Sequence, residues 1–195
     1  SGASDQLQAT RDALAANYVV AIIIIYLLLV AIFTHWGYPL LIMTTIPLGV
    51  AGGILGLWLF NLGGAWLPLI GRAELHLSFD MIAMLGFLIL MGTVVNNPIL
   101  IVHQAMINVR DRGMNALDAV CHAVDARLRP IAMSTLTTVF GLAPLVLLAG
   151  EGTELYRGVG VIVMFGLLGT AMVSLTFLPA LTVLVLKMSK PNQGL

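Results

Sequence analysis

The chain has 195 residues, 59% of them hydrophobic and only 9% charged, with nine basic and nine acidic side chains and no net charge. An ordinary soluble domain carries roughly 25% charged residues, so this composition, with a mean hydropathy of +1.02, belongs to a chain that lives in lipid. It excludes a basic surface for nucleic acid; a single cysteine, Cys121, excludes an internal disulfide, and His35, His76, His103 and His122 stand too far apart for metal-ligand spacing.

Ser1 to Asn17 is polar and slightly acidic and lacks the basic start of a signal peptide. The first hydrophobic run therefore reads as a true span entered from a soluble region, as in a piece of a longer protein. Five segments read as spans, at about 18–33, 39–60, 80–104, 130–148 and 159–186. The reading divides the chain into a lead-in over 1–16, a membrane domain over 17–187 and a tail over 188–195. THWGYP between the first two spans is a tight turn, so they form an antiparallel hairpin. In the second span, Gly49, Gly52, Gly53 and Gly56 make two overlapping GxxxG spacings, a face that lets another backbone approach closely. Pro47, one turn earlier, predicts a bend. The connection from Asn61 to Phe79 contains Trp66 and apolar neighbours, the pattern of a short interfacial element.

The third span holds GTVVNNPILIVH, Gly92 to His103. Hydrocarbon offers no water to the amides of Asn96 and Asn97, so the pair is expected to be sheltered among helices. Pro98 leaves the Val94 carbonyl without its usual partner and loosens the helix beside them. Two readings stay open: a polar seam that glues helices, or part of an ion pathway. After the polar break at Arg110–Gly113, Leu117, Val120, Cys121, Val124 and Leu128 recur at helical spacing opposite Asp118, His122 and Asp125. This predicts an amphipathic surface helix over 115–128, capped by Asn115, with Cys121 buried as a small apolar residue. Ser134, Thr137, Thr138 and Gly141 share a face in the fourth span, although such hydroxyls often bond their own helix. Six basic residues, Arg110, Arg112, Arg127, Arg129, Lys187 and Lys190, fall on one side against Arg11, Arg72 and Arg157 on the other. That puts the N-terminus outside and the C-terminus in the cytoplasm. The expected fold class is all-α, a polytopic bundle of five transmembrane helices plus a cytoplasmic surface helix. No nucleophile, base and orienting group come together and no Gly-rich phosphate loop follows a strand, so neither an enzyme nor a cofactor is predicted.

Several stretches together resemble one family, the resistance-nodulation-division (RND) efflux transporters of bacterial inner membranes. YLLLVAIFTHWGYPLLIMTTIPLGVAGGILGLWL is similar to the family's eighth and ninth membrane helices, and GTVVNNPILIVH to its tenth. ALDAVCHAVDARLRPIAMSTLTTVFGLAPL resembles the run into the eleventh, and GVGVIVMFGLLGTAMVSLTFLPALTVLVL the twelfth. The resemblance implies a multi-pass inner-membrane, proton-driven exporter of drugs, lipids or metals, a homotrimer in many members. It also implies a relay in which paired aspartates of the fourth helix face the tenth and eleventh. Matched residue by residue, that relay falls on Asn96, Asn97, Arg127, Ser134 and the adjacent Thr135. Asn96 stands where many drug pumps have lysine, and the Asn61–Phe79 connection is longer than usual. The first half, with the aspartates and the porter domain, is missing. The chain is thus expected to be a half-bundle not competent for transport alone, partnered by the missing N-terminal half and by lipid. The alternatives are a structural scaffold or accessory subunit with no proton role, and a relative exporting protein or lipid. The cargo is not legible.

Overall fold

The computed structural model describes residues 2–64, 77, 79–148 and 150–189. Among the described residues the chain is almost entirely helical and has no strand: α1 (Ala3–Phe33), α2 (Gly37–Met43), α3 (Thr45–Gly64), α4 (Met81–Val94), α5 (Asn96–Arg110), α6 (Ala116–Leu147) and α7 (Glu151–Met188). Helices α2 with α3, and α4 with α5, each make one crossing. Five apolar rods of sufficient length result: Ser4–Phe33, Gly37–Gly64, Met81–Arg110, Ala116–Leu147 and Gly152–Met188. This is an all-α polytopic bundle, the solution that satisfies each backbone group within its own segment where water is absent. The interfacial element expected around Trp66 lies outside the described residues, as do Arg72, His76 and Lys190.

Proline decides where the rods break. Helix α2 ends at Met43, four residues before Pro47, and α4 ends at Val94, four before Pro98. Each proline lacks the N–H that would reach the carbonyl four residues back, and the helix divides there. At the first break Thr44 and Thr45 donate their hydroxyls to the carbonyls of Leu41 and Ile42, both at 2.6 Å. Pro130, Pro144 and Pro179 instead sit inside helices that run on. Sequence reading separates a surface helix over 115–128 from a span over 130–148; in the structure the two are one helix, α6. The carbonyl that Pro130 frees belongs to exposed Ala126, so one bond is lost without burying an orphan. Asn115 caps α6, its Oδ1 accepting from the Asp118 amide at 2.8 Å while its Nδ2 donates to the Asp118 carboxylate at 2.6 Å.

Helix α7 is the central column, packed against α2, α3, α4, α5 and α6, whereas α1 lies at the edge against α2 and α4. The outer face of α1 exposes Val19, Ile23, Ile24, Leu27 and Leu28. Glycine sets the approach of α3 to α7. A Cβ at Gly52 would lie 3.3 Å from the Phe165 carbonyl oxygen and 3.6 Å from the Gly169 Cα. One at Gly56 would overlap the Phe165 Cβ; Gly53 faces Ile162 and Phe87, and Gly49 faces Val94 and Thr170. Lipid tails are as apolar as leucine, so this close backbone packing takes the place of a hydrophobic drive. In the full-length protein Gly56→Ala should lower thermal stability by about 1–3 kcal/mol through overpacking. Gly63→Ala, where a Cβ meets nothing within 4 Å among the described residues, should be neutral or slightly stabilising. Equal melting of the two variants in detergent would remove this account.

Candidate functional site

The α4–α5 break sets the two asparagines on different sides. Asn97 is buried, 8% exposed, while Asn96 lies on the open surface of the chain. Within this chain Asn97 is sheltered and Asn96 is not. Successive residues of a 3.6-fold helix point about 100° apart, and here the buried face of α5 takes in Asn97 and Pro98 and leaves Asn96 outside. Neither amide has a hydrogen-bond partner among the described residues. On α6, Thr135 is buried and Ser134 exposed. The Ser134 hydroxyl donates to the Ile131 carbonyl at 3.1 Å, Thr137 to Met133 at 2.7 Å and Thr138 to Ser134 at 2.9 Å. The donors of that strip are taken by their own helix.

Arg127 is tied across to α5. Its Nη2 donates to Gln104 Oε1 at 2.9 Å, and Gln104 Nε2 donates to Asn108 Oδ1 at 3.2 Å. Asn108 is fully buried, its Nδ2 donating to the Ala119 carbonyl at 3.0 Å and lying 3.5 Å from His122 Nδ1. These contacts run α5 and α6 antiparallel. Seven residues up each helix from the Gln104–Arg127 pair stand Asn97 and Ser134, so the structure brings the asparagine turn and the Ser134–Thr135 turn to one depth, with Arg127 below. Sequence reasoning missed Gln104 and Asn108. Their signal was two amides four residues apart among apolar neighbours near the end of a span.

With this geometry in view, the chain can be set beside known proteins. The model of the AcrB/AcrD/AcrF family matches residues 1–186. The chain belongs to that family. This is the RND family its sequence resembles. Multidrug resistance protein MdtC of Salmonella enteritidis PT4 is 32% identical over 179 residues, covering 92% of this chain and 16% of the relative. MdtC of Pectobacterium atrosepticum has the same identity and coverage. The chain thus spans 16% of the length of the curated relatives it matches.

Two further polar features of this AcrB/AcrD/AcrF member differ from expectation. Cys121, expected to be buried, is exposed, because the buried stripe of α6 runs through Ala116, Ala119, Val120 and Ala123. Arg157, read from sequence as a loop residue, is only 5% exposed within α7. Its Nη2 donates to the Leu148 carbonyl at the C-terminal end of α6, at 2.9 Å, beside the Thr153 hydroxyl at 3.1 Å. A cation there meets the negative end of the α6 dipole and closes the α6–α7 turn. Arg157→Met should cost about 1–3 kcal/mol. It should also speed hydrogen exchange at the Thr153 and Glu154 amides, which bond the Gly150 carbonyl. Unchanged exchange at those amides would contradict the capping role.

Proposed function

We propose that this chain is the C-terminal membrane half of a proton-driven RND-type efflux transporter, and that it supplies hydrogen-bonding groups to a proton relay without being competent for transport alone. Asn96, Asn97, Arg127, Ser134 and Thr135 carry that role. The observation that supports it is the placement of Arg127. It is a cation held against α5 on the crossing that carries both asparagines, at the position matching the family's eleventh-helix arginine. In this reading carboxylates from the other half of the transporter approach Asn96 and Ser134 on the exposed face. While ionised, they are held by the unbonded amide of Asn96, by Ser134 once it gives up its bond to Ile131, and by the field of Arg127 two turns below. Protonation removes the charge that holds them, the helices shift, and a porter domain elsewhere in the protein is driven. Asn96 in place of lysine makes this a relay of hydrogen bonds rather than of charge exchange. Multidrug export, stated in the name of MdtC, is the activity assigned to the whole, with a homotrimer in the bacterial inner membrane as its form.

A second reading, a packing scaffold with no proton role, draws on the hydroxyls of Ser134, Thr137 and Thr138, which all bond their own helix. The two readings part on one variant. In the full-length transporter, Asn96→Leu with Asn97→Leu should abolish dye efflux driven by an imposed pH gradient while membrane levels stay normal. Retained efflux would favour the scaffold. The orientation assigned here, N-terminus in the periplasm and C-terminus in the cytoplasm, puts exposed Cys121 on the cytoplasmic side. A membrane-impermeant maleimide should label it in inside-out vesicles and not in intact spheroplasts; the reverse pattern would invert the topology.

A further inference from the structure

Arg127 is not simply near Gln104; the polarity of a whole chain of amides decides what Gln104 shows it. A backbone carbonyl can only accept hydrogen bonds and a guanidinium can only donate them. At one end the Ala119 carbonyl lies 3.0 Å from the Asn108 side chain and forces that amide to turn its NH2 group toward α6. The Asn108 oxygen is then left to accept from Gln104 Nε2 at 3.2 Å. That in turn leaves Gln104 Oε1 as the atom facing Arg127 Nη2, at 2.9 Å. Every link runs in one direction, from guanidinium through two amides to a carbonyl, and each donor strengthens the next acceptor. Asn108 is fully buried, so water does not compete for it. The Asn108 Nδ2 also lies 3.5 Å from His122 Nδ1. The Arg127 Nε is buried without a partner among the described residues, so Gln104 is what fixes the guanidinium.

We infer that Gln104 and Asn108 are positioning residues for Arg127, with Asn108 acting through Gln104 by tethering its NH2 end so that its oxygen stays against the guanidinium. The inference rests on the relay role proposed for Arg127 and adds two residues that touch no proton carrier. Without Asn108 the NH2 end of Gln104 has no acceptor to hold it, the amide is free to swing away, and Arg127 loses its fixed partner.

The test uses the full-length transporter and efflux of a dye that the wild type exports. Arg127→Leu should abolish proton-driven efflux. Asn108→Leu should slow it roughly tenfold, the size of loss typical when an outer partner of a functional group is removed. The deciding variant is Gln104→Glu, because a carboxylate presents an acceptor to Arg127 whichever way it turns. In the Asn108→Leu background it should restore efflux to near the wild-type rate, which a merely structural role for Asn108 does not allow. If Asn108→Leu fails to reach the membrane, Asn108→Ala, which also removes the acceptor of the Gln104 amide, replaces it in both arms. Failure of Gln104→Glu to rescue, or wild-type efflux from the Asn108 variant, would overturn the positioning role while leaving the relay intact. Wild-type efflux from Arg127→Leu would overturn the relay itself.

Discussion

The bundle depends on how closely α3 can lie against α7. At Gly52 the neighbouring backbone is Phe165 to Gly169, so near that a Cβ would touch a carbonyl oxygen and two Cα atoms. Helix α7 then reaches α4 by the same device: a Cβ at Gly166 would overlap the Leu90 side chain, and one at Gly86 would lie 3.1 Å from the Val159 Cα. Small residues on both sides of α7 let it serve as a column for five neighbouring helices at once. Among the described residues no hydrogen bond joins α3 to α7. The contact is dispersion between surfaces that fit, and dispersion falls steeply with a gap of even half an ångström to an ångström. Bulk added at this seam therefore acts on the position of α7, and through α7 on every helix packed against it.

Proline and polar side chains have complementary effects on that scaffold. Where proline freed a carbonyl in the interior, at Met43 and Val94, the helix divided. Where it freed one at exposed Ala126, the helix ran on. Pro179 frees the carbonyl of half-buried Leu175 inside an unbroken α7, so burial of the freed carbonyl does not by itself decide the break. The α4–α5 break falls between Val94 and Asn96, and α5 starts afresh with its own face. Asn97 turns inward with Pro98, Ile101 and Ala105, and Asn96 turns out. One skeletal feature thus splits an amide pair into a buried member and an exposed one.

The fold was largely legible in the sequence, because hydropathy and length leave lipid-embedded chains few options. The five crossings, the glycine face, the proline loosening at Asn96 and the Asn115 cap all follow from local rules that tertiary context has little room to override. What was not legible depended on rotation about a helix axis. Cys121 at helical spacing with Leu117 and Val124 looks like a core residue, yet the stripe that turns inward is the alanine-rich one beside it. Arg157 looked like a loop charge because GEGTELYRG has loop composition, yet α7 begins at Glu151 and carries it into the α6 terminus. Periodicity names a face without saying which neighbour it meets, and adjacent faces of a short window differ by one residue.

The same limit explains why attention to the asparagine pair passed over Gln104 and Asn108. A side-chain amide in a hydrophobic run announces that it needs partners, and the Asn96–Asn97 doublet does so loudly. Its two members are nevertheless without hydrogen bonds among the described residues, whereas the quieter Gln104 and Asn108 are bonded from end to end. The difference lies in what surrounds each turn. Near the end of α5 the first turns of α6 supply a carbonyl, a histidine and a guanidinium, and a satisfied network rigidifies the place where it sits. Midway along the crossing α6 offers hydroxyls already bonded to their own helix. Asn97 is thus buried without a side-chain bond among the described residues, while Arg127, two turns away, is held by Gln104. The rigid polar layer and the unsatisfied one are stacked along a single crossing, and the rigid layer is what gives the unsatisfied one a fixed reference.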